Sequence, residues 1–189
     1  PEMGATVGYA VTCVFGLPDP DYSRLTFMDV IDALEASQKP SILVFQQKFP
    51  ESIAGKVGLS GENMTAMMKA MGCVGAISNG PSRDIDAIRS MGFQYLLGGI
   101  SAGHGKFAVH AVNVPVSVGS MDVSPGEIIH MDENGACKFP AAHLTSVHKN
   151  AAHIKDSDSN RVKKLLNAKS AAEIRAVIAG HSYAADSQD

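Results

Sequence analysis

The sequence predicts an α/β fold, on three observations. Strand-like and helix-like runs alternate through the first half of the chain. At the centre of that alternation, residues 61–84 (GENMTAMMKAMGCVGAISNGPSRD) read as helix, strand, tight turn and the opening of a second helix. A series of short alternating strands follows, and two helical runs close the chain.

Taken in order, residues 4–15 (GATVGYAVTCVF) are β-rich. Residues 17–23 carry two prolines among Asp and Ser and form a loop. Thr26 can cap a helix whose Phe27, Val30, Ile31 and Leu34 share one face. Pro40 ends that region, and residues 41–46 (SILVFQ) form a buried strand. A glycine-containing connection over residues 54–60 leads to the central unit. There Met64, Met67, Met68 and Met71 recur at helical spacing as a core face, and Gly72 stops the helix. Residues 73–78 are a short apolar strand, and Asn79-Gly80-Pro81-Ser82 is turn chemistry. A short helix over 84–91 is stopped by Gly92, and residues 93–97 form another strand.

The second half changes character. Residues 98–105 (GGISAGHG) form a glycine-rich loop. Residues 107–118 alternate and are broken at Pro115. Turns at Ser124-Pro125-Gly126 and at residues 132–135 lead into strands over 127–131 and 136–139, which together predict a β-meander. Helices are expected over 141–155 and 161–179, with a break at 156–160 and a frayed tail after them.

Composition bounds the function. The chain has 189 residues, 45% of them hydrophobic and 19% charged, enough for one well-buried domain with an appendage. A formal charge of −3 gives no electrostatic reason to expect nucleic acid or an anionic membrane as partner. No apolar run approaches a membrane span of roughly 20 residues. No basic-then-apolar leader opens the sequence, so a cytoplasmic location is expected. Cys13, Cys73 and Cys137 are odd in number and dispersed, which predicts reduced core thiols.

The central unit also carries the strongest chemical signal. In a parallel α/β unit the start of one helix and the end of the next strand lie at the same sheet edge. Gly61 and Glu62 are thereby expected near Arg83 and Asp84. Two carboxylates, one guanidinium and open helix N–H groups then share one corner, which suits a small anion and a divalent metal. The plain alternatives are a helix cap and a surface ion pair.

Other motifs weigh less. Gly99-Ile100-Ser101-Ala102-Gly103 matches a nucleophile elbow, with Asp156 and His181 available to complete a triad order. The run after it alternates like a strand, however, and the motif needs a helix there. A loop in which glycine permits close backbone approach is the favoured reading. The seven histidines are dispersed and contain no HExxH; His104 alone sits in the glycine-rich loop, where it could face a site.

Gly61-Glu62, twenty intervening residues and Arg83-Asp84 resemble the signature of the RraA-like family. That family takes its name from the regulator of ribonuclease E activity A. It includes metal-dependent 4-hydroxy-4-methyl-2-oxoglutarate aldolases, and older naming called its members demethylmenaquinone methyltransferases. GATVGYAVTC is similar to its opening strand, MGCVGAISNGPSRDIDAI to its strand, turn and helix, and VNVPVSVGSMDVSPGEIIHMDENGACKFP to its closing strands. The resemblance covers roughly residues 4–150. It implies a swivelling three-layer β/β/α domain, placed here at residues 1–155; the C-terminal helices read from the residues themselves add a helical extension and tail at 156–189. It also implies a homotrimer or a pair of trimers with sites between subunits.

The same resemblance implies a lyase acting on small 2-keto acids. Asp84 would be the direct protein ligand to Mg²⁺ or Mn²⁺. Arg83 would hold the 2-oxo acid and stabilise the enolate oxygen. The N–H groups of Gly61, Glu62, Asn63 and Met64 would take the carboxylate, and Glu62 would orient or activate water for proton transfer. Retro-aldol cleavage to pyruvate or decarboxylation of oxaloacetate would follow through a metal-stabilised enolate. The alternative is a non-catalytic regulator that binds a protein such as a ribonuclease. The sequence departs from the family pattern at Glu62 (often Asp), at Asn79 (often Asp), at Ala87 (usually another acid) and across 95–105. No element suited to S-adenosylmethionine is visible.

Overall fold

Both faces of strand β1 (Thr6–Gly16) are buried, and they feed two different cores. Val11, Cys13 and Phe15 enter one cluster, while Ala10 and Val14 enter the other. This strict alternation divides the molecule into layers. The structure is a computed structural model that describes residues 3–19, 21 and 24–180.

Strands β2 (Ser41–Lys48), β3 (Cys73–Ser78) and β5 (Gln94–Leu96) extend a parallel ladder from β1. Between them run helices α1 (Phe27–Ala36), α3 (Glu62–Ala70) and α4 (Ile85–Ser90), with the single turn α2 (Glu51–Ala54) after β2. Buried Val30, Ile31, Leu34, Met68 and Ile88 all join the cluster of Val11 and Phe15, so these three helices cover one face. Helix α1 begins with a capping box, in which Thr26 and Asp29 each accept from the other's end of the turn.

The opposite face is covered by a hairpin of β8 (Val116–Val118) and β9 (Met121–Val123). Val116, Val118 and Val123 pack there with Ile42, Val44, Ile77, Ile129 and Met131. Helices, sheet and hairpin make a three-layer α/β architecture. Strands β10 (Ile128–Asp132) and β11 (Gly135–Phe139) complete the main sheet in the order β11-β10-β1-β2-β3-β5. Strand β1 changes partner along its edge: residues 6–9 pair with β10 and residues 13–16 with β7 (Ala108–Val112).

The structure corrects several expectations. The second half is not one continuous meander. The turn at Gly119-Ser120, with both residues at positive φ, makes the β8–β9 hairpin, and residues 124–127 then carry the chain from that hairpin back to the main sheet. The expected helix break at 156–160 does not occur, because α5 runs from Leu144 to Asn167. Residues 156–160 hold no glycine or proline, and Asp158 pairs with Arg161 one turn on at 2.6 Å. The real break precedes α6 (Ala171–Ala179), whose start is capped by Ser170. Cys137 is exposed rather than in the core, because β11 is an edge strand.

The chain divides into two compact units, residues 1–141 and 142–189; α5 runs across the boundary expected at 155/156. Within the second unit α5 and α6 contain no buried residue. Among the described residues no helix is long and apolar enough to cross a membrane. The tail and His181 lie outside the described residues.

Candidate active site

Gly61 lies at the N-cap of α3, with extended φ −146° and ψ −162°. It leaves the N–H groups of Glu62, Asn63 and Met64 without an intrahelical acceptor, as at any helix start. The Asp84 Oδ2 accepts from the Glu62 N–H at 3.0 Å. The corner expected from the sequence therefore forms, and it is tight. A Cβ added to Gly61 would lie 2.4 Å from Asp84 Oδ2 and 3.1 Å from an Arg83 terminal nitrogen. Glycine at this position lets a carboxylate and a guanidinium approach the start of the helix together.

Each side chain has an identifiable holder. Arg83 donates through Nε to the Gly58 carbonyl at 3.0 Å. A Cβ on Gly58 would come within 2.5 Å of Arg83 Cγ, so Gly58 also makes room for the arginine stem. Among the described residues the Arg83 guanidinium makes no ion pair, and its terminal N–H groups meet no acceptor. Asp84 caps α4 from a left-handed backbone, φ 55° and ψ 37°. Glu62, Asn63 and Asp84 are exposed, Arg83 and Met64 half-buried. The Glu62 carboxylate accepts no hydrogen bond among the described residues.

Beneath this surface lies a buried set of hydroxyls that the sequence reading did not single out. The Ser60 carbonyl accepts both the Arg83 N–H, at 2.9 Å, and the Ser82 hydroxyl, at 2.7 Å. Ser60 Oγ lies 2.6 Å from the Tyr95 hydroxyl, and Thr65 Oγ1 donates to the Gly61 carbonyl at 2.8 Å. Burial pushes the Tyr95 phenol well above its ordinary range, against the opposing pull of the Ser60 and Thr65 hydroxyls. One signal was available: a serine precedes each half of the motif, Ser60 before Gly61-Glu62 and Ser82 before Arg83-Asp84.

The glycine-rich loop is backbone scaffolding. Gly98 approaches the Asn79 carbonyl and Gly103 the Lys56 carbonyl so closely that a Cβ would lie 2.2 Å and 2.3 Å away. Short strands β4 (Pro81–Ser82) and β6 (Gly99–Ile100) pair in parallel beside it. Ser101 Oγ donates to the Lys56 carbonyl at 3.0 Å and accepts from the Gly103 N–H at 3.1 Å. No helix follows Ser101; the next element is strand β7, so the nucleophile-elbow reading is dropped. Asp156 lies within α5 of the second unit. His104 is exposed, with its ring 6.0 Å from that of Phe107.

Asn79 has a structural reason to be an amide. Its Oδ1 accepts from the Gln47 N–H at 2.7 Å, and its Nδ2 donates to the Gln47 carbonyl at 2.9 Å. An aspartate could make only the first bond. Ala87, half-buried, occupies the third position of α4.

No group of three His, Cys, Asp or Glu side chains that could cage a metal occurs among the described residues. The donor set at Asp84 fits a different kind of ion. One carboxylate with Oδ1 open, beside the exposed Glu62, suits a hard cation that keeps most of its waters and takes further ligands from substrate. Mg²⁺ and Mn²⁺ meet that description; a thiolate- or imidazole-seeking ion does not.

Comparison with known proteins agrees with the fold. A protein of Halalkalibacterium halodurans that carries the provisional name 4-hydroxy-4-methyl-2-oxoglutarate aldolase is 27% identical over 108 residues, 57% of this chain and 51% of that protein. Protein DlpA of Legionella pneumophila is 33% identical over 76 residues, 39% of this chain and 12% of DlpA. The chain thus spans about half, or less, of the curated relatives it matches. Among solved structures, an uncharacterised Pseudomonas syringae pv. tomato protein superposes with a TM-score of 0.75 at 17% identity, covering 94% of this chain and 76% of its own. RraAS2 of Streptomyces coelicolor, described as an unusual member of the RNase ES inhibitor RraA protein family, gives 0.66 at 22% identity, with 82% and 76% covered. Residues 1–137 match the family described as RraA-like, Aldolase/RraA, and this chain belongs to that family.

Proposed function

We propose that the chain is a divalent-metal-dependent lyase acting on small 2-keto acids. The reactions are retro-aldol cleavage of a 4-hydroxy-4-methyl-2-oxoglutarate-type substrate and decarboxylation of oxaloacetate. One observation carries the proposal: an Arg83 guanidinium pinned at Nε, with its outer N–H groups open, faces the first turn of α3 beside the Asp84 carboxylate. That arrangement supplies cationic and N–H donors for a small carboxylate next to a metal-ligating oxygen.

In this reading the Asp84 carboxylate, whose Oδ2 accepts from the Glu62 N–H, would hold Mg²⁺ or Mn²⁺. When bound, such a metal would supply Lewis-acid polarisation of the substrate's keto carbonyl. The open N–H groups of Asn63 and Met64 receive the substrate carboxylate. Arg83 binds the 2-oxo oxygen and offsets the negative charge that grows there as the C3–C4 bond breaks. Glu62, on the same turn, moves the proton to or from water. The protein works as a trimer or a pair of trimers, with sites between subunits.

Ala87 favours a second reading. With alanine rather than an acid at position 87, and with Asp86 of the same turn paired to Arg89, the metal would lack an outer carboxylate three residues after Asp84 to orient its waters. A non-catalytic regulator that binds a protein such as a ribonuclease would tolerate that loss. The two readings separate on pyruvate release from oxaloacetate and from 4-hydroxy-4-methyl-2-oxoglutarate, with Mg²⁺, with Mn²⁺ and with chelator, each corrected for the metal alone. Chelator-sensitive release above background supports the lyase. Release equal to background with both substrates overturns it.

A further inference from the structure

The start of α3 and the Arg83-Asp84 pair come from segments about twenty residues apart, yet they must meet within a hydrogen bond. Ser60, Thr65 and Ser82, at 1%, 0% and 0% exposure, lie beneath that meeting point. Hydroxyls buried so deeply are costly unless bonded, and these are bonded to the two segments that carry the site. The Ser60 carbonyl receives two donors from the other segment, and Ser60 and Ser82 form a parallel bridge. This bridge sets the register of Arg83 against Gly61.

The Ser60 side chain is in turn fixed by Tyr95. The Tyr95 ring stands edge-on to Phe45, with centroids 6.3 Å apart, and tilts against Phe93 at 5.3 Å. Its backbone lies in β5, paired with Ala76 of β3. The phenol therefore refers the start of α3 to the rigid edge of the main sheet. As a phenol it stays protonated across the neutral range, and its hydroxyl lies 2.6 Å from Ser60 Oγ.

We infer that Tyr95 is a positioning residue for the candidate site: its hydroxyl, acting through Ser60 and Ser82, holds the first turn of α3 in register with Arg83 and Asp84. The geometric claim stands without any assigned reaction. Its consequence for turnover rests on the lyase reading.

The test is Tyr95→Phe, Ser60→Ala and the double variant, read by hydrogen exchange of single amides in the full chain. Tyr95→Phe keeps the ring contacts, so it retains the packing that a larger truncation would lose. The Glu62 amide, held by Asp84, should exchange about five- to tenfold faster in each single variant, the scale of one hydrogen bond. Amides of β2 should not change. The double variant should be no faster than Tyr95→Phe alone, because the Ser60–Tyr95 bond is already lost there. An unchanged Glu62 amide, a parallel rise in β2, or a multiplied effect in the double variant overturns the inference. In the oxaloacetate assay kcat should fall by a similar factor with KM within about twofold. A wild-type protein without turnover defeats the lyase reading alone, and the exchange result then decides the positioning claim.

Discussion

Asp84 adopts a left-handed backbone, φ 55°, which aspartate tolerates better than most residues and which gathers at functional sites. The conformation turns its carboxylate back toward α3 while its carbonyl accepts from Ile88 at the start of α4. Asp84 thus serves two helices, and its loss should matter locally. Asp84→Ala should abolish metal-dependent turnover while circular dichroism stays unchanged. Gly61→Ala is a finer probe. Its backbone angles suit alanine, but the new methyl would stand 2.4 Å from Asp84 Oδ2. Metal affinity, measured by Mn²⁺ titration, should drop at least tenfold with stability within about 1 kcal/mol of wild type. At this scale the meeting of Glu62 with Arg83 and Asp84 was legible, because a helix start and the end of the next strand share one sheet edge in a parallel unit. Tyr95 and Ser60 were not. A hydroxyl becomes informative only when its buried partner is known, and these partners are 35 residues apart.

At the scale of elements, the methionine face of α3 is core at three of its four expected positions, and Met67 departs from it. Met68 is 0% exposed, Met64 and Met71 pack against the same core, and Met67 is 37% exposed. Met68→Ala should cost about 2–5 kcal/mol in denaturant unfolding, and Met67→Ala less than about 0.5 kcal/mol. Helices with clear caps and the long buried strands were legible because their periods are strong. The resemblance implied a second β layer, but the β8–β9 hairpin that forms it was not read from the residues, since a Gly-Ser turn between three-residue strands carries little periodic signal. Two-residue strands β4 and β6 carry none; they exist because the glycine-rich loop packs backbone on backbone. The polar run in α5 misled because such residues favour caps, yet without glycine or proline their cost inside a helix is small.

For the molecule as a whole, thiols and acid stability give independent checks. Burial pushes the Cys73 thiol up to about 11 and the Cys13 thiol higher still, whereas Cys137 is exposed. A thiol reagent should therefore modify one cysteine in the folded protein and three after denaturation. Asp29 is held below its ordinary 3.8 by the Thr26 N–H and hydroxyl. At Glu127 burial pulls upward, but the Lys138 hydrogen bond, the Ser124 N–H and the Lys138 charge together bring it below 4.5. Both carboxylates are depressed in the folded state. Their stabilisation is complete above those ordinary values and is lost as pH falls through the lowered ones. Melting temperature should hold down to about pH 5 and fall below about pH 4; Lys138→Met should make that fall shallower.

The central claim is that Asp84 and Arg83 form a metal-dependent lyase site. It is tested most directly by pyruvate release from oxaloacetate across a Mn²⁺ titration, in the wild type, Asp84→Ala and Arg83→Ala, with the metal-only rate subtracted. The account predicts saturable, chelator-sensitive release in the wild type, none above background in Asp84→Ala, and a loss in Arg83→Ala that saturating Mn²⁺ does not restore. Equal release by all three proteins would contradict it.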